Sequence, residues 1–70
     1  MSLKWRCVKS GHWRAEADGV QWHVWAVVNP AGWMLDGWET GDDLIHSSER
    51  PTLAEAKRAA AAVMAERAAS

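Results

Sequence analysis

The chain lacks tyrosine and phenylalanine altogether, and its 70 residues include one cysteine and two prolines. Because Cys7 has no partner in the sequence, neither an internal disulfide nor a zinc site built on a cysteine pair stabilises the fold. No apolar run reaches eighteen residues and the start does not resemble a signal peptide, which predicts a cytoplasmic protein without a membrane span. We expect one small domain over residues 1–70, stabilised by heavy tryptophan burial or by self-association.

Charges are segregated along the chain, although the formal net charge is only −1. Lys4, Arg6, Lys9 and Arg14 precede the first acid, and no Lys or Arg occurs between residues 16 and 49. That central stretch holds seven carboxylates, namely Glu16, Asp18, Asp36, Glu39, Asp42, Asp43 and Glu49. Such blocks are typical of solvated surface, and they also suit a partner of one charge sign.

Asp18-Gly19 predicts a two-residue hairpin turn between two segments in which apolar and polar residues alternate. This turn pairs Ala17 with Val20 and, further along, Ala15 with Trp22, Trp13 with Val24, Arg14 with His23 and Glu16 with Gln21. Apolar residues then oppose apolar ones on one face, the inner face, and polar residues oppose polar ones on the outer face. Because a slip of one residue would mix the faces, the agreement supports this register.

Two further turns extend the sheet. Asn29-Pro30-Ala31-Gly32 is expected to close Val28 onto Trp33, which gives the pairs Ala26–Leu35 on the inner face and Val27–Met34, Trp25–Asp36 and His23–Trp38 on the outer face. Near the N-terminus, a three-residue Ser10-Gly11-His12 loop with a bulge places Trp5 and Cys7 on the inner face beside Ala15 and Ala17.

The C-terminal third of the sequence predicts one helix and does not decide whether a fifth strand precedes it. The segment 44–47 is compatible with a short fifth strand or with a loop. Thr52-Leu53-Ala54-Glu55 is a capping-box sequence, which predicts a helix from about Leu53 to about Arg67. Its apolar stripe consists of Leu53, Ala56, Ala60, Val63 and Met64. We therefore expect an α+β fold, an antiparallel meander of four or five strands within residues 4–47 and one C-terminal helix packed on one face.

The six tryptophans divide between the two faces of this sheet. Trp5, Trp13, Trp22 and Trp33 share the inner face with Val20, Val24, Val28 and Leu35, where the helix covers them. Trp25 and Trp38 share the outer face with Val27, Met34 and His23, which one helix cannot also cover. An open apolar patch on a small domain predicts an interface with a partner or a homodimer, unless the acidic loop folds back over it.

Two functional interpretations follow. In the first, carboxylates imitate a phosphate backbone and occupy a basic groove on a nucleic-acid-handling protein. The partner-binding residues are then Trp25, Met34, Asp36, Trp38, Glu39, Asp42, Asp43 and Glu49. In the second, Trp25 and Trp38 stack on single-stranded bases while Arg6, Arg14 and His23 lie along the phosphates. The absence of a basic excess weighs against this second interpretation.

Catalytic and metal sites have weak support. Cys7 and His23 point to opposite faces of the predicted sheet, so a tetrahedral site from Cys7, His12, His23 and His46 is not expected. Asp42, Asp43, His46, Ser47 and Ser48 include acid, base and nucleophile types, but no scaffold fixes them. The sequence predicts a non-enzymatic protein without metal or cofactor, and a hydrolase around His46 and the two aspartates is the remaining alternative.

Three features of the chain are similar in style to small phage and prophage accessory proteins. They are the Trp-rich meander from Trp13 to Trp38, the carboxylates from Asp36 to Glu49 and the Ala-rich tail from Thr52 to Ala69. Within that group, the chain resembles anti-CRISPR proteins of GC-rich bacterial hosts. The resemblance rests on these features and not on a motif, so it assigns no functional residue. It implies an inhibitor that binds a host protein complex stoichiometrically in the host cytoplasm, without catalysis.

Overall fold

The computed structural model describes residues 3–28, 31–39 and 42–69. The elements follow one another as β1 (Arg6–Lys9), β2 (His12–Ala17), β3 (Val20–Val27), β4 (Gly32–Glu39), β5 (Asp43–Arg50) and α1 (Leu53–Ala69). The strands form one antiparallel sheet in chain order, and α1 packs across β3, β4 and β5. The predicted α+β meander is confirmed. The fifth strand, which the sequence left undecided between a strand and a loop, is present as β5.

The core lies between α1 and the inner face of the sheet. Trp22, Val20, Val24 and Leu35 are fully buried, together with Ala15 from β2 and with Ala56 and Ala60 from the helix. The two helix alanines carry only a methyl group, so the helix axis can approach the sheet over the large Trp22 side chain. Trp5, Trp13 and Trp33 are half-buried against this cluster, and the Lys57 ammonium lies 4.3 Å from the Trp13 ring centre.

The β2–β3 hairpin has the predicted register throughout, from Ala17–Val20 to Trp13–Val24. Asp18 and Gly19 have φ angles of 49° and 78°, the left-handed conformation that a two-residue type I′ turn requires at both central positions. Aspartate tolerates this conformation better than most side chains, and glycine adopts it without a steric penalty. Local turn chemistry and the alternation of apolar residues therefore favour the same pairing.

The predicted β3–β4 register is wrong by two residues. The strands pair Val24 with Leu35, Trp25 with Met34 and His23 with Asp36, and Trp22 lies opposite Gly37. A Cβ at position 37 would lie 2.6–2.9 Å from three atoms of the Trp22 ring, so the glycine provides the space that this indole occupies. Because the shift is even, the assignment of residues to faces survives.

The β1–β2 connection also differs from the prediction. Lys9 pairs with His12 across a two-residue Ser10-Gly11 turn, and an irregularity between Cys7 and Lys9 then brings Cys7 opposite Trp13 instead of Ala15. The predicted bulge exists, but it lies within β1 and not in the loop. Cys7 keeps its inner-face position and is nevertheless exposed, because α1 does not reach β1.

Val28 does not lie on the inner face as predicted, but is 80% exposed beyond the end of β3. Val27 pairs with Gly32, whereas the sequence predicted the pair Val28–Trp33. Residues 29 and 30, which belong to the predicted turn sequence, lie outside the described residues.

The helix begins where the capping sequence predicts. The Glu55 backbone N–H donates to Thr52 Oγ1 at 3.1 Å, and the Ala56 N–H donates to the Thr52 carbonyl at 3.1 Å. The helix continues to Ala69, two residues past the predicted end, because alanine favours helix and no glycine or proline interrupts it. Arg67 in its last turn forms an ion pair with Glu39 of β4, which joins the helix end to the sheet.

Candidate binding surface

The outer face is organised in rows that cross the sheet. The central row consists of Arg6, Arg14, His23, Asp36 and Ser47, one residue from each strand. The tryptophan row beside it consists of Lys9, His12, Trp25, Met34 and Glu49. A third row, from β2 to β5, consists of Glu16, Gln21, Trp38 and Leu44.

A charge gradient runs across the central row and the tryptophan row, whereas the one charged residue of the third row, Glu16, lies on β2. In the central row, Arg6 and Arg14 occupy β1 and β2, whereas Asp36 occupies β4. In the tryptophan row, Lys9 and Glu49 lie on the two edge strands. Since the strands are neighbours in chain order, the segregation of charge along the sequence becomes a segregation across the outer face.

The apolar side chains of the outer face are only partly covered. Trp25, Met34 and Trp38 are half-buried, and Leu44 beside Trp38 is 50% exposed. The Trp25 ring meets His12 edge-on, with ring centres 6.3 Å apart. Among the described residues, the only element outside the sheet is α1, which packs on the inner face. The prediction that the helix leaves this face open is confirmed.

In the described parts of the acidic segment, residues 36–39 and 42–49, the chain does not fold back over the tryptophans, which was the alternative to an interface. Residues 43–50 extend the sheet as β5, and Asp42 is exposed in the turn before it. Residues 40 and 41 fall outside the described part of the chain.

Two histidines lie at the centre of the outer face. His12 Nε2 is 3.3 Å from His23 Nδ1, and the ring centres are 5.5 Å apart. A hydrogen bond between imidazoles needs a nitrogen that carries no proton, so at least one ring is neutral. Burial lowers the pKa of His23 from its ordinary 6.5, the Arg14 guanidinium and the neighbouring His12 ring lower it further, and the Asp36 carboxylate opposes them. His23 is consequently neutral at pH 7.

The basic side of the outer face carries two clefts. One, of about 370 Å³, is lined by Lys4, Arg6, Arg14, Ala15 and Glu16. The other, of about 360 Å³, is lined by Lys9, Ser10, Gly11, His12, Trp25 and Ala26. Arg6 and Arg14 are direct cross-strand partners, and neither forms an ion pair with any residue in 3–28, 31–39 or 42–69. Like charges in this position repel, so the pair favours an anion between or above them.

The structure brings together some of the predicted partner-binding residues and separates others. Trp25, Met34, Asp36, Trp38 and Glu49 share the outer face, where Asp36 Oδ1 accepts a hydrogen bond from Ser47 Oγ at 2.8 Å. Glu39 belongs to the opposite face, and its carboxylate is paired with Arg67. Asp42 and Asp43 are exposed at the β4–β5 end of the sheet. The alternative nucleic-acid set, Arg6, Arg14, His23, Trp25 and Trp38, lies wholly on the outer face.

Sequence reasoning did not include Lys9, His12, Ser47 or Leu44 in the site. The predicted loop contained His12, and only the observed two-residue turn brings it into β2 opposite Trp25. Leu44 and Ser47 depended on β5, for which the sequence left two alternatives. His12 and Arg14 are two residues apart and so point to the same face of a strand, and this spacing in the sequence could have placed His12 in the site.

The residues of the hydrolase alternative are split between the two faces. His46 Nε2 is 2.8 Å from Ser48 Oγ on the inner face, and its ring centre is 5.8 Å from that of Trp22. Arg50 Nε also donates to Ser48 Oγ, at 3.4 Å, whereas Ser47 is bonded to Asp36 on the outer face. A catalytic dyad needs a third group that orients the base, and no described carboxylate is bonded to His46. Nor do the described ranges contain three or more His, Cys, Asp or Glu side chains grouped to bind a metal ion.

No protein-family model matches the chain, and neither a curated protein nor a solved structure matches it. Within the described residues, no helix has the length and apolarity needed to cross a membrane. The function must therefore be argued from the outer face itself.

Proposed function

We propose that the protein is a non-enzymatic interaction protein that binds a basic groove of a host protein complex through the acidic half of its outer face. The single observation that carries this proposal is the open outer face, the side of the sheet that α1 does not cover, where tryptophans lie beside carboxylates that form no ion pair with any described residue. Aromatic anchors surrounded by charge are typical of protein interfaces. The mode of action is stoichiometric inhibition of the phage type.

The acidic half consists of Asp36 and Glu49 with the apolar side chains of Met34, Trp38 and Leu44. Asp42 and Asp43 extend the negative charge past the end of the sheet. Carboxylates held on neighbouring strands present charge at fixed spacing, as a phosphate backbone does, and a groove that binds nucleic acid is complementary to both. Glu39 contributes less to this surface than the sequence suggests, because Arg67 neutralises it.

Affinity capture from a lysate of the source cell, followed by binding measurements with the purified captured protein, tests this proposal. Asp36→Lys and Glu49→Lys should each weaken binding at least about tenfold, since each replaces an attraction by a repulsion. Glu16→Lys is the matched control, because it changes the net charge equally on the other half of the same face. Heparin should displace the captured protein. Unchanged affinity in both lysine variants would contradict the proposal.

A second candidate function is binding of single-stranded nucleic acid, and the two basic clefts favour it. Lys4, Arg6 and Arg14 line one cleft, and the other places Lys9 beside the Trp25 indole. A strand could stack a base on Trp25 while its phosphates meet these cations. An oligothymidine titration followed by tryptophan fluorescence separates the candidates: nucleic-acid binding requires quenching that is weakened by salt and by Arg14→Ala, and strengthened by Asp36→Lys.

A further inference from the structure

When the outer face is rotated by 180° about an axis parallel to the strands, its basic side and its acidic side exchange places. A two-fold axis parallel to the strands and above β3 would place β1 of one copy over β5 of the other. An axis at right angles to the strands would instead place β1 over β1, so that the basic edges would oppose each other. Charge therefore selects the first arrangement, in which two sheets stack face to face, about 10 Å apart.

Individual residues meet complementary partners in this arrangement. In the central row, Arg14 lies over Asp36 of the second copy, and His23 faces its own symmetry mate near the axis. In the tryptophan row, Lys9 lies over Glu49 of the second copy, and Trp25 faces Trp25. The Arg14–Asp36 and Lys9–Glu49 pairs each occur twice, whereas His23 and Trp25 each meet their own symmetry mate once, as a two-fold interface requires.

We propose that two copies of the chain associate through their outer faces about this axis, and that the dimer is a latent form in which the partner-binding surface is covered. The inference rests on the proposed function only in treating the outer face as a binding surface. A partner with a basic groove would compete with the second copy for Asp36 and Glu49.

A second copy fits the whole outer face better than any uniformly charged molecule. The three rows contain three cations, Arg6, Lys9 and Arg14, and three carboxylates, Glu16, Asp36 and Glu49. A polyanion matches the β1–β2 half and is repelled by the other, and a basic groove does the reverse. A surface with the opposite gradient satisfies both halves of the central and tryptophan rows, and the two-fold copy is such a surface, while Glu16 of the third row lies over Trp38 of the second copy.

The histidines make this association sensitive to acid. His23 is faced by Arg14 and His12 from β2 and by Asp36 from β4, and α1 packs on the other side of the sheet. Neutral imidazoles can approach each other near the axis, whereas protonation adds two like charges there. The dimer should therefore dissociate more readily as the pH falls through the titration of His23.

Sedimentation equilibrium on the protein alone tests the dimer. The wild-type chain should associate reversibly, and Arg14→Glu and Asp36→Arg should each weaken self-association at least about tenfold, because each creates two like-charge contacts. An equimolar mixture of the two variants should restore the dimer. The glutamate introduced in one chain then meets the arginine introduced in the other, while the unchanged Asp36 and Arg14 still oppose each other. Arg58→Glu, an exposed position on α1 away from the outer face, should leave association unchanged.

Circular dichroism verifies that each variant is folded, and Lys9→Glu with Glu49→Arg provides a second complementary pair if one of the first does not fold. A wild-type chain that stays monomeric at the highest attainable concentration overturns the dimer, and so does a mixture of variants that fails to associate. Neither result touches the proposed function, which is measured by partner capture. Capture that depends on Asp36 in a monomeric protein would retain the function and remove the latent dimer.

Discussion

The two faces of the sheet are built from alternate residues of the same strands, yet they differ in burial and in charge. On the inner face, Trp22, Val24 and Leu35 have no exposed surface. On the outer face, Trp25, Met34 and Asp36 remain partly exposed, and charged residues flank them. The difference shows that a 70-residue chain with one helix can complete one face only, and what it leaves on the other face is available for binding.

Trp22 and Trp25, both in β3, show this difference between the two faces within one strand. Trp22 is packed under α1 and over Gly37, and its Nε1 donor has no hydrogen-bond partner among the described residues. A buried donor without a partner costs roughly 1–3 kcal/mol, which packing of the large ring must offset. Trp25 is only half-buried and has a histidine neighbour. The same residue type thus stabilises the fold on one face and forms a contact surface on the other.

Replacing Trp22 with Ala should have the largest effect. The loss of a fully buried indole costs roughly 3–5 kcal/mol, which is comparable to the whole free energy of unfolding of a domain of this size. Trp25→Ala is the matched control and should cost about 1 kcal/mol or less. Urea denaturation followed by circular dichroism measures both. Equal costs for the two variants would mean that the faces do not differ as described.

Gly37→Ala should be the next most damaging change. The new Cβ would lie within 3 Å of the Trp22 ring, so the indole or the strand has to move, at a cost of about 1–3 kcal/mol. Asp36→Ala, one residue away on the outer face, removes the bond from Ser47 and the charge that faces His23, and should cost less because it makes no clash in the core. The midpoints of thermal unfolding provide the comparison. An alanine at position 37 that leaves stability unchanged would show that Trp22 does not lie against this glycine.

Thr52→Ala tests the attachment of the helix that makes the inner face different from the outer one. Removal of the hydroxyl leaves the Glu55 N–H without its acceptor and should cost about 1 kcal/mol. Thr52→Ser retains the hydroxyl and should restore most of the loss. Far-ultraviolet circular dichroism during urea denaturation reports the change. A serine variant as unstable as the alanine variant would argue against a capping role.

His23 should produce the smallest effect, a modest pH dependence that originates on the outer face. Its pKa in the folded protein lies below the unfolded value of about 6.5, so the unfolded chain binds the proton more readily. The contribution of His23 to the free energy of unfolding is complete above pH about 6.5 and is lost as the pH falls through the folded-state pKa. Denaturation at high dilution, compared with His23→Gln, isolates this dependence. A glutamine variant with an unchanged pH profile would assign the dependence to other groups.

Short-range patterns predicted most of the fold. Asp18-Gly19 and the alternation around it specified the β2–β3 register, and the capping sequence at Thr52 specified where α1 begins. The β3–β4 register was missed because the choice between two even shifts depends on packing of Trp22 against Gly37. A pattern of period two assigns faces correctly in either register, so the sequence contained no local signal that distinguishes them.

The candidate surface was predictable to the same degree. The outer-face positions of Trp25, Met34, Asp36 and Trp38 follow from parity alone. The location of Glu39 also follows from parity, but its pairing with Arg67 required the helix end to lie beside β4, a contact between residues far apart in the chain. The charge gradient needed the strand order, because only neighbouring strands convert a segregated sequence into a segregated face.

The sequence by itself determined the α+β class, the Asp18-Gly19 turn, the start of the helix and the division of tryptophans between faces, since each depends on a few neighbouring residues and on the period of the strand. The tertiary structure alone decided which side chains share a row. It placed Arg6 beside Arg14, Ser47 beside Asp36 and Trp22 over Gly37. These contacts join distant segments, and their energies depend on packing and charge that no local pattern contains.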